Sequence, residues 1–207
     1  MVRATIVRHA SAEVEISRSR FLATAHRVDS LDALAELVRA ARRRHPDARH
    51  VCSAAVAGPH GEASRSNDDG EPGGTAGAPI LSAIAGRELT DVAVLVVRWF
   101  GGVKLGTGGL VRAYGGIAAD ALDAAGKLLR VPASELLGAV AVADAPRVEH
   151  ALRSAGHEPV VDYTAGGATL RMTVADARLA AAESLLAQLG IEPEISSGRI
   201  LELHTHG

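Results

Sequence analysis

The stretch Val92–Tyr114, VAVLVVRWFGGVKLGTGGLVRAY, decides how the chain folds. Its first six residues, Val92 to Val97, are apolar and mostly β-branched, too short for a helix and typical of a strand buried on both faces. Such a strand belongs in the middle of a sheet. The next segment holds Gly101, Gly102, Gly106, Gly108 and Gly109, five of the 22 glycines in the chain. Without Cβ atoms it can take positive φ and bring backbone close to another group. From about Thr107, Leu110, Val111, Tyr114, Ile117, Ala118, Ala121 and Leu122 recur at three and four, the spacing of a helix. A strand, a glycine loop and a helix N-terminus in that order suit an anion.

The loop fits neither the P-loop nor the dinucleotide-binding motif. A P-loop needs a lysine directly after its last glycine, whereas Lys104 precedes Gly106; in the dinucleotide fingerprint Val111 stands at the third glycine. What remains is a set of backbone N–H groups at a helix N-terminus, with Arg98, Lys104 and Arg112 close in sequence, favouring phosphate or carboxylate. The competing reading gives the glycines a packing role, letting the helix approach the sheet. Residue chemistry leaves both open.

Upstream, Ala4–His9, Ala12–Ser17 and Arg20–Val28 alternate as short antiparallel strands. Ser30 is expected to cap a helix with an apolar stripe of Leu31, Leu34, Leu37, Val38 and Ala41, ending before Pro46. Its last turn, Arg42, Arg43, Arg44 and His45, compensates the negative helix end or offers phosphate a patch. Ala48–Ala57 reads as a strand with His50 and Cys52 on one side, a geometry that would suit a ligand but lacks further ligands nearby, against the reading of a core cysteine beside a hydrogen-bonded histidine. Gly58–Gly77 lacks periodicity and contains SNDDGEPGGTAG. Asp68, Asp69 and Glu71 there could hold a hard cation or do acid/base chemistry, but their spacing misses the calcium-loop pattern; the alternative is turn and cap bonding to backbone N–H groups. No metal and no cofactor are expected. A helix follows from Thr75, near its cap, to Ala85.

Past Ala125, Lys127–Glu135 reads as a connection with an optional short strand. From Leu137 the order is strand, helix, strand, strand, helix, strand, a βαββαβ ferredoxin-like arrangement, with Gly156 and Gly190 ending the helices. His204 and His206 share a terminal strand face and make no structural metal site. The expected class is α+β with two domains, residues 1–130 and 135–207.

At 207 residues, 47% apolar and 22% charged, the chain can bury a real core. Its one cysteine rules out an internal disulfide, and the absence of a long apolar segment or leader pattern points to the cytoplasm and away from membranes. Residues 1–136 carry 17 basic and 15 acidic side chains against 5 and 9 in residues 137–207, so the slight basic character lies in the first part.

Three pieces resemble the YigZ/IMPACT family: SRF at Ser19–Phe21, NDDGEPGGTAGAPIL at Asn67–Leu81, and VVRWFGGVKLGTGGLVRAYG at Val96–Gly115. Asn67 stands where serine is common and Trp99 where tyrosine is common. The resemblance implies a first domain similar to small-subunit ribosomal proteins and to domain four of elongation factor G, and a second similar to that factor's fifth domain. Such folds meet ribosomal RNA and translation factors. Eukaryotic relatives regulate translation but carry a different N-terminal extra domain that is not seen here, so their role is not carried over.

Two functions follow. One is a translation-associated binding protein, with RNA, ribosome or translation factors meeting the glycine loop, Lys104 and Arg112, with Arg42–Arg44 adding charge. The other is an enzyme on a small anionic substrate using Asp68, Asp69, Glu71 and Thr75 beside the loop. Five aromatics are too few for a broad base-stacking platform, and carboxylates without a nucleophile or partner histidine make thin catalysis. Whether the two motifs converge in one closed pocket or lie on an open, positively charged surface decides between them.

Overall fold

The computed structural model describes residues 3–164 and 166–204, so His206 lies outside the described residues. The chain divides into two compact units, one running to Leu129 and the other Arg130–Leu203.

In the first unit, β1 (Thr5–Ile6), β2 (Ala10–Ile16), β3 (Ser19–Arg27), β4 (His50–Ala57), β5 (Ala63–Asn67) and β6 (Val92–Trp99) are the strands. The helices are α1 (Ala33–Arg44), α2 (Gly77–Ala85) and α3 (Gly106–Ala125). Five strands form an antiparallel sheet in the order β2-β3-β6-β4-β5, with β6 at its centre. Period-two alternation divides β6 between two cores. Val92, Val94 and Val96 join the cluster that holds α2 and α3, while Ala93, Leu95 and Val97 join the one that holds Leu34 of α1. This is why the strand reads as a continuous apolar run. Each fully buried valine or leucine contributes about 1.5–3 kcal/mol of burial, so β6 anchors both layers.

Four local expectations change. Ser30 does not cap α1: the helix starts at Ala33, and its entry is a tight turn in which Leu34 N–H donates to Leu31 O and Ala35 N–H to Asp32 O, both 3.2 Å. The aperiodic segment contains β5, whose mostly exposed ASRSN sequence has no apolar face because it forms a sheet edge. β1 pairs not with β2 but with β7 (Lys127–Val140), through Thr5↔Leu128 and Ile6↔Lys127. The expected connection at Lys127–Glu135 is thus strand throughout.

In the second unit, β7 continues with α4 (Ala145–Ser154), β8 (Val160–Thr164), β9 (Gly167–Ala175), α5 (Leu179–Gln188) and β10 (Glu194–His204), a βαββαβ order. β9 lies between β7 and β8, antiparallel to both, and β10 pairs with β7. Gly156 and Gly190, at φ 76° and 78°, follow α4 and α5 as left-handed stops. Leu136, Leu152, Leu170, Met172 and Leu186 fill the core between sheet and helices. The architecture is mixed α and β in both units.

Candidate anion-binding site

The sheet register sets out the site. Phe21↔Arg98 and His50↔Arg98 place Phe21, Arg98 and His50 abreast on β3, β6 and β4, one pleat beyond the apolar row that ends at Val96. Arg98 is therefore a cation carried at the end of a core-facing row, and it is 4% exposed. Its Nη1 donates to Glu71 Oε1 at 2.6 Å and its Nη2 to Ser19 Oγ at 3.2 Å, while its guanidinium carbon lies 5.3 Å from the Phe21 ring centroid. The same Glu71 oxygen accepts from the Tyr114 hydroxyl at 2.7 Å, with His50 Nε2 at 3.8 Å. A buried arginine needs such a partner, because an unpaired charge in the core costs several kcal/mol. Burial foremost, then Cys52 and the Glu71 carboxylate, hold the Tyr114 phenol well above its ordinary pKa, so it remains a donor.

The SNDDGEPGG segment is built largely of backbone bonds. Asp68 Oδ1 accepts from the N–H groups of Ala76 and Gly77 at 2.9 and 2.8 Å, and Oδ2 from that of Gly74 at 2.8 Å. Burial works against its ionisation, yet these three donors outweigh it and hold its pKa below the ordinary aspartate value. Asp69, at φ 47°, pairs with Arg42 and accepts from Val51 N–H at 2.5 Å, while its carbonyl meets His50 Nδ1 at 2.9 Å. Thr75 is not the cap of α2: its hydroxyl donates to Pro72 O at 2.6 Å, and Asp68 serves the helix start instead. The Cys52 thiol donates to Asp68 O at 3.1 Å and is buried. Burial foremost pushes its pKa up to about 12, with the carboxylates of Glu71, Asp69 and Asp68 adding to the effect against an opposing bond from Tyr114.

The two motifs meet. A pocket of about 460 Å³ is lined by Gly70, Glu71 and Pro72 from one and by Arg98, Phe100, Lys104, Leu105, Gly106 and Thr107 from the other, with Arg49 and His50 from β4 and its approach. α3 starts at Gly106 with no side chain capping it, and Gly106 and Thr107 of its first turn line the pocket, so the positive pole of the helix lies at this end. Arg49 and Lys104 are exposed and have no carboxylate partner among the described residues. A phosphate or carboxylate entering the pocket would meet two free cations and a helix N-terminus.

The remaining sequence candidates fall elsewhere. Gly101 is a packing residue: a Cβ there would sit 1.8 Å from the Arg18 carbonyl oxygen, and its N–H donates to Ser19 Oγ at 3.3 Å. Gly102 turns the chain at φ 86°. Gly108 and Gly109 lie in the first turn of α3 without lining the pocket, and Arg112, exposed on α3, also lies outside its lining. Asp68, Asp69 and Thr75 do not line it either. Arg49 and Phe100 were not singled out as ligand-binding residues from sequence; the signal was the strand register, which sets the approach to β4 beside the end of β6. Among the described residues, no group of three or more His, Cys, Asp or Glu side chains is placed to share a metal ion, and no helix is long and apolar enough to cross a membrane.

Residues 17–122 match the Impact N-terminal domain, so the chain belongs to the IMPACT family. Among curated relatives, it is similar to the IMPACT family member YvyE of Bacillus subtilis, 42% identical over 123 residues, and to YigZ of Escherichia coli, 46% identical over 110. Those matches cover 58% and 52% of this chain and 57% and 54% of the relatives, so the chain spans little more than half the length of the curated relatives it matches. A solved structure described as a hypothetical protein is 32% identical and superposes with a TM-score of 0.62, covering 93% of this chain and 97% of that one.

Proposed function

We propose that the chain is a cytoplasmic, translation-associated RNA-binding protein whose first unit seats a backbone phosphate in the pocket between the glycine loop and the Gly70–Pro72 segment. The observation that carries this reading is the grouping of Arg49, Lys104 and the uncapped start of α3 around one pocket, with the buried Arg98 behind them. Helix N-termini and unpaired cations are the ordinary means of holding phosphate. The family resemblance points the same way, through the likeness it implies to domains four and five of elongation factor G. Ribosomal RNA or a translation-factor complex is the partner class in which these features would act together.

The test is binding of single-stranded RNA and of ribosomal subunits, followed by fluorescence anisotropy across a salt series. With about two to three phosphate contacts, log affinity should fall by roughly 0.7–0.9 per contact for each tenfold rise in salt. Arg49→Glu combined with Lys104→Glu abolishes binding and leaves the melting temperature nearly unchanged. Arg112→Glu, outside the pocket, has a small effect. RNA binding that survives the double substitution overturns the reading.

One observation favours a second reading, a small phosphorylated or carboxylated ligand: both motifs line the same pocket. Catalysis there is poorly supported, because Asp68 is bound by backbone N–H groups, Asp69 by Val51 and Arg42, and Glu71 by Arg98 and Tyr114. Tight calorimetric binding of inorganic pyrophosphate, with no gain in affinity as RNA is lengthened, would select this ligand over RNA.

A further inference from the structure

Among the described Phe, Tyr and Trp side chains of the first unit, Phe100 alone is exposed. Phe21 and Tyr114 are fully buried, packed edge to face at 5.4 Å. Trp99 is engaged on several sides: its Nε1 donates to Asp47 at 2.9 Å, the Arg20 guanidinium lies 4.3 Å from its ring, and His45 meets it edge-on at 5.3 Å. Phe100, by contrast, is 41% exposed and lines the pocket that Lys104 and the start of α3 also line. The guanidinium carbons of Arg98 and Arg49 lie 5.6 and 5.9 Å from its ring centroid. Arg98 is fixed by Glu71 and Ser19, so the ring is held from within, while Arg49 is an exposed side chain on its outer side.

An exposed phenyl ring loses apolar surface to water unless something covers it. Beside a phosphate seat, the natural cover is a nucleobase: each base has a π-face, and stacking on an aromatic side chain strengthens single-strand binding regardless of sequence. Bases in duplex RNA are already stacked on each other and turn no face outward. Resting on the RNA-binding reading above, we propose that the pocket recognises one nucleotide of single-stranded RNA, its phosphate at Lys104, Arg49 and the α3 N-terminus and its base stacked on Phe100. Arg49 then serves both parts, pairing with the phosphate while flanking the base. Phe100 supplies preference for unpaired over paired RNA, and the cations supply the salt-dependent share of affinity.

The test compares three fluorescent ligands of about ten units, within the length range such proteins cover: a mixed-sequence single-stranded RNA, its duplex, and an abasic ribose-phosphate chain of equal length. The full chain binds the single strand most tightly. Phe100→Ala weakens that complex roughly tenfold or more and leaves affinity for the abasic chain unchanged; Phe100→Trp keeps or improves single-strand binding, which excludes a folding defect. If Phe100→Ala leaves single-strand affinity intact, or weakens the abasic chain equally, the stacking proposal is overturned while RNA binding stands. If native protein binds none of the three at low salt, the RNA-binding reading fails and the stacking proposal with it.

Discussion

Gly101 shows how one missing atom can organise a loop. Its φ lies outside the left-handed region, so backbone freedom is not what it supplies; it supplies room, because the Arg18 carbonyl oxygen occupies the place of a Cβ at 1.8 Å. Gly102, one residue on, is the reverse case, with φ 86° and open space around its Cα. The two glycines therefore respond differently to alanine. Gly101→Ala forces backbone apart and costs about 3 kcal/mol or more, comparable to a severe overpacking, whereas Gly102→Ala costs about 1 kcal/mol of left-handed strain. Urea unfolding of the two variants gives the comparison, and equal losses would mean that the approach of Gly101 to Arg18 is not a firm contact. Glu71 makes a related point about charge. At 4% side-chain exposure it is committed to Arg98 and Tyr114, so it shapes the pocket wall and holds the buried guanidinium in place instead of offering a free carboxylate.

At the scale of elements, α2 starts where a distant aspartate meets it. Asp68, eight and nine residues before Ala76 and Gly77, accepts from both of their N–H groups and from Gly74, doing the work of a local N-cap through a folded loop. Because its folded pKa lies below the ordinary aspartate value, the stability it contributes is fully present above that value and is lost as pH falls through it toward the folded pKa. Asp68→Ala should cost about 1–2 kcal/mol near neutral pH, with the deficit against native protein shrinking below about pH 4. A deficit that stayed constant down to acid pH would show that the carboxylate charge is not what α2 uses. Such long-range capping is also where sequence reading reaches its limit. The β6 strand, the α3 periodicity and the βαββαβ order were legible because each is written in local apolar spacing. β5 was not, since an edge strand of Ala, Ser, Arg and Asn has no buried face to leave a pattern, and the α1 start was misplaced because backbone turns, not Ser30, satisfy its first N–H groups. Of the site, the glycine loop, Lys104 and the acidic segment were legible; Arg49 and Phe100 depended on strand register, which no local pattern encodes.

At the scale of the whole molecule, each unit draws its core from its own stretch of chain: Ala4 to Ala125 for the two clusters about β6, Leu136 to Ile191 for the other. We propose on this basis that the units fold as separate domains, with the first ending just after the residues that pair with β1. Ile6 is fully buried and pairs with Lys127, as Thr5 does with Leu128, so a fragment stopping at Ala125 loses the partner strand of β1 while one running to Val131 keeps it. At about 130 residues the longer fragment is within the size at which a single core suffices. The only tryptophan, Trp99, belongs to the first unit, so its fluorescence follows that unit alone while far-ultraviolet circular dichroism follows both. In urea, the full chain should therefore show two midpoints that do not coincide between the probes. Fragment 1–131 should unfold in one step at the tryptophan midpoint of the full chain and retain its RNA affinity, and fragment 1–125 should unfold at lower urea. A single midpoint shared by both probes, together with a 1–131 fragment that fails to fold, would mean that the two cores are stable only as one cooperative body.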